Sequence, residues 1–127
     1  AIGRLPFDLR LNQRLFILSM AMSGVGLALM VIPVLPLSFG FRVIHEMGDG
    51  FLGALVVLFI SRLFEKDSIG GSSALLLAVM TTGQMAGSMI FSSMGYRFGL
   101  IYPFIAAGSL LTLNAGFARF CFRRAEY

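Results

Sequence analysis

The chain has 127 residues, of which 57% are hydrophobic and 13% charged, with a mean hydropathy of +0.88 and a net charge of +4. A soluble domain carries about 25% charged residues, and this much apolar surface does not fit inside one small core. Composition therefore points to an integral membrane protein, with an unusually apolar soluble helix bundle as the alternative. A single cysteine, Cys121, excludes an internal disulfide, and one histidine with scattered carboxylates makes no metal set.

The expected fold is all-α and polytopic, a single transmembrane domain over residues 1–127. A spanning helix needs about 20 apolar residues. Residues 15–32 form the first uncharged run, and Pro33 and Pro36 are expected to end it. The second run covers residues 37–64. "EKDSIGGS", residues 65–72, reads as a polar, glycine-rich loop. The third run covers 73–94, "GYRFG" at 95–99 reads as a tight turn, and the fourth run covers 100–122.

Four spans place both termini on one side. That side holds Arg4, Arg10, Arg14, Arg62, Lys66, Arg119, Arg123 and Arg124, and the other holds Arg42 and Arg97. Eight against two predicts cytoplasmic termini by the positive-inside rule, and short loops suggest a bacterial inner membrane. The basic excess lies between apolar runs, so it gives no support for nucleic-acid binding. The expected partners are the lipid bilayer and further transmembrane helices from the same or another polypeptide.

The second run opens with four ionisable residues. Arg42, His45, Glu46 and Asp49 fall at i, i+3, i+4 and i+7 and share one helix face. Arg42 can reach Glu46, and His45 can reach Asp49. Such a face should point at protein or a water-filled cavity, because a lone central Asp costs about 3 kcal/mol in lipid. Paired carboxylates beside a histidine suit a proton relay; a closed ion-pair patch that only fixes helix packing is the other reading.

"GDGFLG", residues 48–53, matches G-x-G-x-x-G, but a dinucleotide site needs a strand before it. Gly48, Gly50 and Gly53 instead suggest close approach of another helix or a substrate to the backbone. Gly83 and Gly87 form a small-xxx-small pair on the third run, also expected to pack. No nucleophile–base pair stands out near Ser72, Ser73, Thr81 or Thr82, so no enzyme activity and no cofactor are expected.

These features together resemble the last four helices of a major facilitator superfamily transporter. "GRLPFDLRLNQR", residues 3–14, is similar to the family's cytoplasmic loop motif through Gly3, Leu5, Asp8, Arg10 and Arg14, with the spacing shifted by one and the second glycine absent. "GQMAGSMIFSSMGYRFG", residues 83–99, is similar to the family's eleventh helix and its short outer turn. The resemblance implies that the second helix lines a substrate cavity, and that the chain is a fragment, a split subunit or a truncated relative, since four helices cannot form two rocking halves. It implies transport, with proton coupling as an option. The alternative is a non-transporting structural subunit of a larger membrane complex.

Overall fold

The computed structural model describes residues 9–64 and 69–124. Four helices follow one another: α1 (Leu9–Leu29), α2 (Leu35–Leu63), α3 (Ile69–Phe98) and α4 (Ile101–Arg124). Among the described residues, three helices are long and apolar enough to cross a membrane: Leu35–Arg62, Gly70–Phe98 and Ile101–Arg124. The first helix differs from the other three. Its opening turns hold Arg10, Asn12, Gln13 and Arg14, and the uncharged stretch from Leu15 to Leu29 rises about 22 Å at 1.5 Å per residue. That is short of the roughly 30 Å hydrocarbon core.

The helix ends depart from the expected ones for local reasons. α1 stops at Leu29, before either proline. The carbonyl of Met30, the next residue, accepts a hydrogen bond from the Ser38 hydroxyl at 2.6 Å, so α2 closes the end of α1. Pro36 does not end the first helix but starts the second, in the first turn of α2 after the extended Val34, where its missing N–H costs nothing. α3 begins at Ile69, so residues 69–72 are helical rather than loop. It continues through "GYRF" to Phe98. The Gly99 N–H still bonds the Gly95 carbonyl at 3.0 Å. Gly99 then turns the chain at φ +98°, a left-handed conformation suited to glycine. The turn between α3 and α4 is thus Gly99 and Leu100 alone.

α1 is the centre of the bundle although it is not among the three helices long and apolar enough to span. It packs against α2 on one side and α4 on the other, while α3 touches α2 and α4 only lightly. Small residues make this possible. A Cβ on Gly24 would meet the Gly108 carbonyl at 2.8 Å and the Thr112 nitrogen at 2.8 Å; a Cβ on Gly108 would meet the Gly24 carbonyl at 2.5 Å. On the other side, a Cβ on Gly26 would meet the His45 nitrogen at 2.7 Å, and one on Gly48 the Ser23 nitrogen at 2.6 Å. Backbones therefore touch on both flanks of α1. Phe16 adds edge-on ring contacts to Phe59 of α2 and Phe122 of α4, with centroids at 6.0 and 6.2 Å.

The residues left facing outward are those that suit lipid. Leu75, Leu77, Val79, Met85, Met89 and Ile90 of α3 are all exposed. Three hydroxyls there are closed onto their own helix: Thr81 donates to the Leu77 carbonyl, Thr82 to Ala78 and Ser93 to Met89, each at 2.8 Å. A hydroxyl bonded to its own helix backbone can sit on an apolar surface that faces a bilayer. Apolar residues outside and small or polar ones inside invert the soluble pattern, and with three helices long enough to span they suit a lipid bilayer.

Candidate functional site

The inward stripe of α2 is Phe41, His45, Gly48, Leu52 and Leu55, spaced four, three, four and three residues apart. His45 is its single ionisable member. Asp49 stands at its edge, 54% exposed, against 18% for His45. Arg42 and Glu46 lie on the outer flank, more than half exposed, with Arg42 Nε 3.8 Å from Glu46 Oε1. The charged face expected from the sequence is therefore split. One pair turns toward α1 and the other turns outward.

α1 meets the inner pair with Ser23. The Ser23 side chain is fully buried, since Gly48 lets the two backbones close on it. His45 Nδ1 lies 2.8 Å from Ser23 Oγ and 3.0 Å from the Ser23 carbonyl oxygen. A carbonyl only accepts, so Nδ1 carries the proton and donates to Ser23. The Ser23 hydroxyl then donates its own proton to Asp49 Oδ1. Three side chains from two helices form one directed chain of hydrogen bonds, from imidazole to hydroxyl to carboxylate.

The remaining ring nitrogen decides what the arrangement can do. His45 Nε2 faces Asp49 Oδ2 at 3.9 Å, too long for a hydrogen bond and close enough for an ion pair. With Nδ1 protonated and anchored, Nε2 is free to take a proton. Asp49 Oδ2 is the second position for the same proton. The unit lies near the middle of the bundle, with Asp49 about 21 Å along α2 from Leu35.

The same residue types make hydrolytic triads, but the direction of bonding differs. An activated serine donates its proton to histidine. Here histidine donates to serine, and Ser23 Oγ is closed off from any substrate. The arrangement suits proton holding and helix fixing, not nucleophilic attack.

The other expected positions fall as follows. Gly48 is at the α1–α2 contact, whereas Gly50 and Gly53 have open space where a Cβ would go. "GDGFLG" lies wholly inside α2, with helix before it rather than a strand. Gly83 faces open space, and a Cβ on Gly87 would meet only Phe91 of its own helix, at 3.9 Å. Arg10 and Arg14 are on α1; Gly3, Leu5 and Asp8 of the proposed loop motif lie outside the described residues. Sequence pattern alone gives no role to Ser23, Gly108 or Thr112, which the structure places at helix contacts. The available signal was the run Ser19, Ser23, Gly26 at spacings of four and three, a small-residue stripe that sets a helix contact.

No family model, no curated protein and no solved structure matches this chain.

Proposed function

We propose that the chain is part of a major-facilitator-like secondary carrier in which Ser23, His45 and Asp49 handle a coupling proton. The observation that carries this reading is the directed hydrogen-bond chain at mid-helix. A buried serine orients the imidazole, and a half-exposed carboxylate stands 3.9 Å from the free ring nitrogen. Ionisable groups at membrane depth mark proton relays and substrate paths. Arg42 and Glu46, on the outer flank of the same helix, are placed to meet a charged substrate or the helix across a shared cavity. The orientation proposed is both termini in the cytoplasm of a bacterial inner membrane, with α1 completing a fourth span by extending Arg10 and Arg14 to the interface.

The test uses inverted membrane vesicles carrying the chain with whatever helices it assembles with in the cell. Vesicles are acidified by respiration and followed with a pH-sensitive dye while small organic anions and cations are added. Substrate-driven proton release is expected for the wild type and is lost in Asp49→Asn, with insertion unchanged. Release of equal size in Asp49→Asn would reject the relay, and release with no member of the panel in the wild type would reject the carrier.

One observation favours the second reading, a structural subunit of a larger membrane complex. The exposed apolar flank of α3, with open space at Gly83, offers a surface for a neighbouring helix. In that case Asp49→Asn weakens assembly instead of flux. Native mass spectrometry of the gently extracted particle distinguishes the two: a partner that adds about eight helices fits a carrier, and unrelated subunits fit a scaffold.

A further inference from the structure

The charge on this chain is not spread evenly. A cavity of about 630 Å³ opens between the start of α1 and the end of α4, and four arginines line it: Arg10, Arg14, Arg119 and Arg123. All four are exposed. They come from two antiparallel helices that meet because Gly24 and Gly108 allow close contact further along. No carboxylate is among the described residues lining the cavity. Beside the arginines and Gln13 the lining is apolar, with Ile17, about one turn further along α1 from Arg14, and Phe122 among it.

Four like charges around one cavity make a positive potential that attracts an anion. The cavity offers forked guanidinium donors suited to phosphate oxygens directly above an apolar surface at the end of a membrane bundle. This is the chemistry of a phosphate group attached to an acyl-bearing molecule. We propose that this cavity seats the headgroup of an anionic phospholipid, with its phosphate between the arginines and its chains descending along Ile17 and Phe122. Basic cavities between transmembrane helices bind such headgroups. The inference does not depend on whether the chain serves a carrier or a scaffold.

The test is lipid retention by the full chain in native mass spectrometry. The protein is extracted with detergent and supplied with equal amounts of a zwitterionic phosphatidylcholine, an anionic phosphatidylglycerol and a two-phosphate cardiolipin. The wild type should retain the anionic lipids in preference to the zwitterionic one. The pair Arg14→Gln with Arg123→Gln should weaken that preference by about fivefold per arginine removed. Arg62→Gln, which removes the same charge from α2 outside the cavity, should leave it unchanged. Should the glutamine pair fail to insert, Arg14→Lys with Arg123→Lys keeps the charge and must still prefer anionic lipid.

Equal retention of all three lipids by the wild type overturns the proposal, as does a loss in Arg62→Gln equal to that in the cavity pair. A parallel sample with inorganic phosphate at millimolar concentration separates the two sources of the same oxyanion. If free phosphate displaces the anionic lipid completely, the site belongs to a soluble phosphate and the lipid assignment fails. If the lipid stays bound, the acyl chains contribute and the assignment holds.

Discussion

α1 and α3 are built on opposite plans. α1 carries Ser19, Ser23, Gly24 and Gly26 and is enclosed by two neighbours, with Ser23 fully buried. α3 carries Gly83, Gly87 and a row of large apolar residues, and its membrane-spanning window has nothing buried at all. Both contain small residues at helical spacing, yet only one set is in contact. Small residues permit close approach and do not enforce it. What separates the helices is what they would otherwise show to lipid. α1 has one hydroxyl, Ser23, that bonds across to α2 and carries charge at its start, whereas α3 bonds Thr81, Thr82 and Ser93 to its own backbone and can face hydrocarbon over most of its surface.

The sharpest way to break this contrast is to put a side chain into the α1–α4 contact. In Gly108→Ala the new methyl would lie 2.5 Å from the Gly24 carbonyl and 2.6 Å from the Ala28 nitrogen. Backbone, not a flexible side-chain end, must move. Overpacking of this sort costs about 1–3 kcal/mol, and thermal unfolding of the detergent-solubilised chain should show it. An unfolding midpoint equal to wild type would mean that α1 and α4 are further apart than described.

Ser23→Ala should come next. It deletes the hydroxyl that accepts from His45 Nδ1 and donates to Asp49 Oδ1, leaving the imidazole held by the Ser23 carbonyl alone. Hydrogen bonds between membrane helices contribute about 0.6–1.7 kcal/mol. The expected loss in unfolding free energy lies in that range, and Asp49→Asn should cost less because Asp49 is half exposed and its amide can still accept from Ser23. A larger loss in Asp49→Asn than in Ser23→Ala would place the centre of the network on the carboxylate rather than on the buried hydroxyl.

The outer pair of α2 gives a smaller effect on the fold. Arg42 and Glu46 are 65% and 62% exposed and meet at 3.8 Å. In an aqueous setting an exposed pair of this kind is worth under about 1 kcal/mol, so Arg42→Gln should shift the unfolding midpoint little. Strong destabilisation would show that the pair is sealed in hydrocarbon, where a Glu46 left without Arg42 becomes costly.

How much of this was legible beforehand differs along the chain. The helices α2, α3 and α4 were visible as long apolar runs, because length and hydropathy report lipid exposure directly. The pairings Arg42–Glu46 and His45–Asp49 followed from helical spacing alone, since i,i+4 neighbours are fixed by local geometry. The division of that face between inside and outside was not legible. It depends on which stripe of α2 meets α1, and that is set by Gly48 fitting against Ser23, a contact between residues 25 apart in sequence. The turn expected at 95–99 is longer than the observed one for a related reason: Gly95 looks like a breaker, but in a lipid-facing helix the intrahelical bond it accepts from Gly99 outweighs its low propensity. The role of α1 was the least visible, because its small residues carry no strong hydropathy signal.

The smallest effect is the most informative about α3. Gly83 has open space where a Cβ would be, and alanine is favoured over glycine inside a helix by up to about 1 kcal/mol. Gly83→Ala should leave the isolated chain as stable as wild type or slightly more so. The same substitution in native membranes then separates two causes for the open face. If lipid covers it, the particle recovered by native mass spectrometry keeps its full mass. If another helix uses the glycine for close approach, the added methyl meets that helix's backbone, and the particle loses a subunit while the chain itself unfolds no earlier. Gly108→Ala and Gly83→Ala, the same change on two helices, would then disrupt different contacts: one within the chain and one between chains.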